Sequence, residues 1–253
     1  MVEPKLLIKA SLDAGREFFR APAHEASASA PGLGGSPAEA KAKPEPVLIP
    51  IRSLGANHRE RIAQHLLGLD EHDRYLRFGY AANDEQVRRY ADGLNFERDE
   101  IFGIYNRKIE LIAMAHLAFS IDPKCQACAE FGVSVSKAAR GRGYGARLFD
   151  RAVMHARNEG VTMVFIHALS ENTAMLKIAR NAGAVVERDG SETEAYLKLP
   201  PATLDSRVTE MVEEQLAQTD YRLKVQAKQF WDFLAGVQEV RRGVREARNR
   251  LSD

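Results

Sequence analysis

The chain has 253 residues, with 36 Lys or Arg against 35 Asp or Glu and 45% hydrophobic residues. That length accommodates one sizeable domain with extensions, and the apolar content suffices for a packed core. A net charge of +1 gives no global pull toward nucleic acid or a membrane surface, and no apolar run approaches the roughly 20 residues of a membrane span, so a cytoplasmic protein is expected.

Residues 1–46 are expected to form a disordered or linker segment, of which residues 1–20 read equally as a brief helix or docking segment and as unstructured chain. Leu6-Leu7-Ile8 is too short for a signal-peptide core, and residues 21–46 are nearly all Ala, Pro, Ser, Gly, Glu and Lys. Such a segment cannot bury enough apolar surface to offset chain entropy and reads as a linker. A domain is expected over residues 47–200. Val47 to Ile51 reads as its first strand, and Ile62, Ala63, Leu66 and Leu67 mark a helix from Arg59 to Leu67. Asn83 with Gln86 has the form of a capping box opening a second helix through Leu94. Ile101 to Tyr105 and Ile109 to Phe119 flank Asn106-Arg107-Lys108 as a hairpin.

Ala129 to Val135 alternates Phe131, Val133 and Val135 as a strand with one buried face, and Leu148, Ala152, Val153 and Ala156 recur at helical spacing beyond it. Val161 to Ala168 is nearly continuous in apolar residues, which predicts a strand buried on both faces. Asn172 to Ala182 reads as a helix with Gly183 just past its end, and Val185 to Glu187 and Ala195 to Leu199 as a final pair around Asp189-Gly190. The order is strand, two helices, three strands, helix, strand, helix, two strands.

Residues 201–253 change character. Val208, Met211, Val212 and Leu216, then Phe230, Phe233, Leu234, Val237, Val240 and Val244, predict one or two long amphipathic helices. Arg241, Arg242, Arg245, Arg248 and Arg250 are interleaved with Glu239 and Glu246, which favours a solvated face over a nucleic-acid contact. The apolar stripe needs covering, either by the domain or by a homo-oligomer. Cys125 and Cys128 form the one Cys-x-x-Cys. No second pair completes four zinc ligands and no helix start favours a redox dithiol, so they read as ordinary loop cysteines and no metal is expected.

Between the strand ending at Val135 and its helix, Gly141, Gly143 and Gly145 leave backbone uncovered at a helix N-terminus, with Arg140, Arg142 and Arg147 around it. Free N–H groups and the positive dipole end make this an anion site, suited to a phosphate-bearing ligand. Gly141-x-Gly143-x-x-Ala146 satisfies a loose dinucleotide pattern, but Ser136 to Arg140 separate the glycines from the strand. Arg140-x-x-Gly143-x-Gly145 fits better, and here the sequence resembles the GNAT acetyltransferase superfamily, whose Q/R-x-x-G-x-G/A loop binds the pyrophosphate of acetyl-CoA. Asn172, with the alanine-rich helix ending at Gly183, is the second matching element.

The resemblance implies an α/β (α+β) fold: a GNAT-like mixed sheet, splayed between its fourth and fifth strands and flanked by helices, here with a long C-terminal helical extension. It implies acetyl transfer from acetyl-CoA to a primary amine, a protein lysine or a small molecule. The backbone of Val133, Ser134 and Val135 would hold the pantetheine arm. The N–H groups of Arg140, Gly141, Arg142, Gly143, Tyr144, Gly145 and Ala146 would take the pyrophosphate, with Asn172 at the arm or capping its helix. Glu130, where many relatives carry a catalytic glutamate, is the candidate base for an ammonium with a pKa near 10.4. Strict alternation places it on one face with Gly132 and Ser134, whose small side chains leave room for a ligand.

Many members carry a proton-donating tyrosine four residues before the helix-ending glycine. Here that position is Ala179, leaving Tyr144, His116 and His167 as substitutes, or a non-catalytic acyl-CoA-binding module. Asp73-Arg74-Tyr75-Leu76-Arg77-Phe78 is similar to a stretch in domains related to bacterial protein-lysine acetyltransferases, where this region borders the acceptor.

Overall fold

The computed structural model describes the backbone of residues 49–190 and 192–250, with side chains described except at 189, 192, 233, 234 and 236–250. The linker expected over residues 1–46 lies outside the described residues.

Seven strands form one sheet in the order β1-β2-β3-β4-β5-β7-β6: β1 Arg52–Ser53, β2 Glu100–Tyr105, β3 Leu111–Phe119, β4 Cys128–Val135, β5 Met163–Leu169, β6 Val185–Asp189 and β7 Glu192–Lys198. The helices are α1 Arg59–Leu67, α2 Glu71–Phe78, α3 Asp84–Asp92, α4 Tyr144–Asn158, α5 Thr173–Asn181 and α6 Leu204–Arg250. All neighbouring strands run antiparallel except β4 and β5, which are parallel and pair only at Cys128↔Met163, Ala129↔Val164 and Glu130↔Phe165. Beyond Glu130 the two strands separate, which is the expected splay.

The two sheet faces carry separate apolar clusters. Ile62 and Leu66 of α1 and Val87 of α3 pack with Ile101, Leu111 and Met114 on one face. Leu148, Phe149 and Ala152 of α4 and Leu176 and Ala179 of α5 pack with Phe102, Ala115 and Phe131 on the other. Asn83 and Gln86 form the expected capping box. Gly183 takes φ 83° just past α5, a left-handed conformation that glycine adopts without strain.

The structure corrects several expectations. The first strand in the described residues is Arg52–Ser53; of the strand expected over Val47 to Ile51, residues 47 and 48 lie outside the described residues, and Ile49 and Ile51 pack on the core outside any strand. Two helices were expected before β2, yet α2 is a third, capped by Asp70, whose carboxylate accepts from Asp73 N at 2.9 Å. β5 is not buried on both faces: Val164, Ile166 and Ala168 are buried, while Met163, Phe165 and His167 are half-exposed beside the splay. Cys125 and Cys128 are joined in a disulfide, not left as free loop cysteines. Their Cα atoms lie 5.5 Å apart, within the span of a disulfide.

The C-terminal region is one helix, and its polar side packs on the domain. Arg151 of α4, nearly buried, pairs with Glu210 at 2.9 Å and Glu214 at 3.4 Å. His155 Nδ1 meets Glu210 Oε1 at 2.6 Å, and Gln218 accepts from Arg52 at 2.9 Å. Among the described residues of the helix Ala217 is the one buried apolar side chain, and Tyr221 lies under the Arg52 guanidinium at 3.8 Å.

This contact has a pH signature. Burial alone would lower the His155 pKa, but the hydrogen bond and charge of Glu210 hold it above 6.5. Burial alone would raise Glu210, but His155, Asn158 and Arg151 bring it to about 2. The raised His155 contributes stability that is full below pH 6.5 and is lost as pH rises through its folded value. The depressed Glu210 contributes stability present above pH 4.5 and lost as pH falls toward about 2. Melting temperature measured against pH should therefore lose this contribution on both sides of the window between those values, and Glu210→Gln should flatten both limbs.

Candidate functional site

The splay turns β4 into an edge inside the sheet. In the β3–β4 ladder Ser136 N donates to Ile112 O and Ser120 N to Cys128 O, each at 2.9 Å. Antiparallel alternation then directs the main-chain groups of Glu130, Gly132 and Ser134 toward β3, and those of Phe131, Val133 and Val135 toward the gap. Of the three strand residues expected to hold an arm, Val133 and Val135 present their backbone there, while Ser134 does not. Ser134 Oγ is instead buried against His65 Nε2 at 2.9 Å. His65 Nδ1 lies 3.0 Å from Leu111 O, so that nitrogen donates and Nε2 accepts from the hydroxyl. Burial depresses the His65 pKa to about 4, which keeps the ring neutral.

At the wide end of the gap lies the glycine loop. Gly141 and Gly143 both take φ 75°, and a side chain at either would point into open space, so conformation rather than crowding calls for glycine there. Gly143 is the N-cap of α4 and no side chain caps that helix. The first N–H groups of α4, at Tyr144, Gly145 and Ala146, thus face the loop mouth at the positive dipole end. Gly145 serves packing: a Cβ there would press on Ile178 of α5 at 3.2 Å. Arg140 is ion-paired with Asp73 of α2, which fixes the loop to that helix, while Arg142 is exposed. Asn172 Oδ1 accepts from Met175 N at 3.1 Å as the cap of α5.

On the other face of β4 stands a group of side chains from four elements. The room expected over Gly132 is filled by the Arg77 guanidinium, which a Cβ at 132 would strike. Arg77 Nη2 donates to Tyr90 Oη at 2.7 Å, Tyr90 Oη lies 2.8 Å from His116 Nδ1, and His116 Nε2 lies 3.2 Å from Asp99 Oδ2. Burial would raise the Asp99 pKa, but Arg98 and His116 bring it below its usual value, so it is a carboxylate. One polarity satisfies the chain: His116 donates to Asp99, and Tyr90 donates to His116 while accepting from Arg77. Burial raises the Tyr90 phenol, and the Glu130 and Asp99 charges add to that against Arg77. The phenol is therefore a neutral bridge. Glu130 is half-buried on the same face.

Among the expected proton donors, His116 is engaged in this chain, His167 pairs with Glu194 at 3.4 Å, and Tyr144 packs on the core. Ala179 is fully buried. The sequence had indicated neither Tyr90 and Asp99 nor the task of Arg77, because four separate elements bring them together. Among the described residues no group of three His, Cys, Asp or Glu is placed to hold a metal ion, and no helix is long and apolar enough to cross a membrane.

Residues 68–184 match the model of the acetyltransferase (GNAT) family. The structure is similar to the GNAT domain of S. lividans PAT, with 20% identity over 60% of this chain and 95% of that one and a TM-score of 0.51. It is also similar to the ribosomal-protein-alanine N-acetyltransferase from Brucella melitensis, with 16% identity over 59% of this chain and 99% of that one and a TM-score of 0.49. A comparison with curated proteins finds no match. At these identities the structural likeness is one of fold. The splay of the sheet beyond Glu130 and the loop at its wide end both lie within residues 68–184, the part of this chain that matches the acetyltransferase (GNAT) family model.

Proposed function

We propose that the protein moves an acetyl group from acetyl-CoA to a primary amine by direct attack. The observation that carries this reading is an unpaired strand edge leading into an uncapped helix start. The edge suits an arm whose amides pair with Val133 and Val135 as an added strand would. The N–H groups from Arg140 to Ala146, with Arg142 beside them, suit a pyrophosphate. Arg140 contributes through its backbone, since its side chain braces the loop against Asp73. When bound, the thioester supplies an activated acyl carbon.

Glu130 accepts the proton of the incoming ammonium. Arg77, held by Tyr90, His116 and Asp99, is a fixed positive charge over β4 that offsets the negative charge developing as the amine attacks. With that charge in place no tyrosine is needed at position 179, because a thiolate is a tolerable leaving group. The similarity of the stretch from Asp73 to Phe78 to domains related to protein-lysine acetyltransferases supports protein lysine as acceptor, and the same stretch supplies Asp73 to the loop and Arg77 to the β4 face. The buried Ala179 favours the second reading, a module that binds acyl-CoA without transfer.

Thermal unfolding with acetyl-CoA, CoA or NAD added separately tests the site. A ligand at about 100 times its dissociation constant contributes roughly 2.7 kcal/mol. Acetyl-CoA and CoA should raise the midpoint and NAD should not. Gly143→Val places a β-branched residue at φ 75° and should cost about 1–2 kcal/mol and abolish the acetyl-CoA shift. Stabilisation by NAD alone would overturn the reading.

A further inference from the structure

α6 extends for 47 residues, about 70 Å, and among the described side chains its polar contacts with the domain fall in its first half. Side-chain hydrogen bonds to the domain run from Ser206, on Asn158, to Lys224, on Tyr105 O. The domain is met by Glu210, Glu214, Ala217, Gln218 and Tyr221, one polar side of the helix. The opposite side is apolar and open. Val212, Leu216, Leu223 and Phe230 are 46–61% exposed.

Val212, Leu216, Thr219, Leu223, Gln226 and Phe230 alternate in steps of four and three, the spacing of a coiled-coil seam. The sequence continues that spacing without interruption at Phe233, Val237, Val240, Val244 and Ala247. Five heptads of this spacing, exposed at Val212, Leu216, Leu223 and Phe230, need a second helix, since helical stability comes mainly from packing an apolar face.

Charge selects the partner and its direction. The positions flanking the seam just after Val212, Thr219, Val240 and Ala247 hold Glu213, Asp220, Arg241 and Arg248. They are acidic in the first half of the helix and basic in the second. In an antiparallel pair these positions face their own kind across the seam. A pairing centred near Trp231 sets position 213 against 248 and position 220 against 241. The same register sets Leu216 level with Ala247, Leu223 with Val240 and Phe230 with Phe233. In a parallel pair each charge would sit level with its own copy, and no such match arises.

We infer that the protein is a homodimer joined by an antiparallel coiled coil of α6, in which the distal half of each helix covers the exposed seam of the other beside its domain. The domains lie on the far side of each helix from the seam and at opposite ends of the pair. This inference is independent of the proposed chemistry.

Sedimentation equilibrium on the full chain tests it. The expected mass is twice 28.1 kDa. Leu223→Asp with Phe230→Asp should give a monomer that keeps the acetyl-CoA thermal shift of the parent, which shows the domain intact. Glu213→Arg with Asp220→Arg should weaken the dimer, as should Arg241→Glu with Arg248→Glu, and an equimolar mixture of these two variants should associate as tightly as the parent. A monomeric parent, or a dimer that survives the seam variant, overturns the inference. Charge variants that associate as well alone as when mixed overturn the antiparallel arrangement.

Discussion

Glu130→Gln should lower kcat/KM for amine acetylation by about 10²- to 10⁴-fold, or roughly 3–5 kcal/mol of activation free energy, with the acetyl-CoA thermal shift unchanged. Glutamine keeps the shape and polarity of the side chain and removes only its basicity. The cofactor contacts proposed for Val133, Val135 and the loop are main-chain and do not pass through residue 130, so binding and chemistry separate cleanly. An acceptor amine of low pKa arrives already deprotonated and should show a much smaller loss than a lysine-type amine. Steady-state rates with the two amines measure this. Equal losses would mean that Glu130 positions the acceptor without taking its proton. No loss with either would leave Glu130 as a half-buried strand carboxylate with no part in the reaction.

Arg151→Met should destabilise the fold by about 3 kcal/mol, a fall of roughly 6–12 °C in melting temperature for a domain of this size. The Arg151 side chain is 3% exposed, lies 2.9 Å from Glu210 and 3.4 Å from Glu214, and its guanidinium sits 5.2 Å from the Phe102 ring. Methionine fills the stem volume and keeps contact with Phe102 but leaves two carboxylates facing a buried site without their cation. The cost is set at the lower end of the range for broken buried pairs because both carboxylates retain some solvent and other partners. Adding Glu210→Gln to Arg151→Met should restore part of the loss, since the uncompensated charge causes it. Circular dichroism melts of the three variants give the answer, and acetyl-CoA stabilisation should persist in all of them.

Features that depend on a few neighbouring residues could be read from the sequence. The capping box of Asn83 and Gln86, the glycine ending α5 and the loop from Arg140 to Ala146 each need only local backbone geometry, and each appears where expected. Features made by tertiary meeting could not. Arg77, Tyr90, Asp99 and His116 come from four separate segments, so no spacing announces them. Gly132 signalled an empty space, and the structure shows why that inference fails: a missing side chain makes room for any neighbour, here a guanidinium. The exposed face of β5 was hidden because Phe165 and His167 carry rings that suit a cleft wall as well as a core. For α6 the amphipathic pattern was plain, but the polar side met the domain because Arg151, His155 and Asn158 of α4 await carboxylates rather than an apolar stripe.

The gap beside β4 is a wedge, closed where Glu130 meets Phe165 and widening toward Val135 and the glycine loop. A wedge admits a guest by thickness and fixes which way round it lies. Under the proposed reading, the charged end of the cofactor would lie at the mouth, toward the dipole of α4, and its acyl end toward the apex. On that reading taper and field would set the orientation, and the tip would come to the apex beside Glu130. Acyl groups that differ at that tip would then enter the slot alike, and discrimination among them would fall to the few residues around the apex.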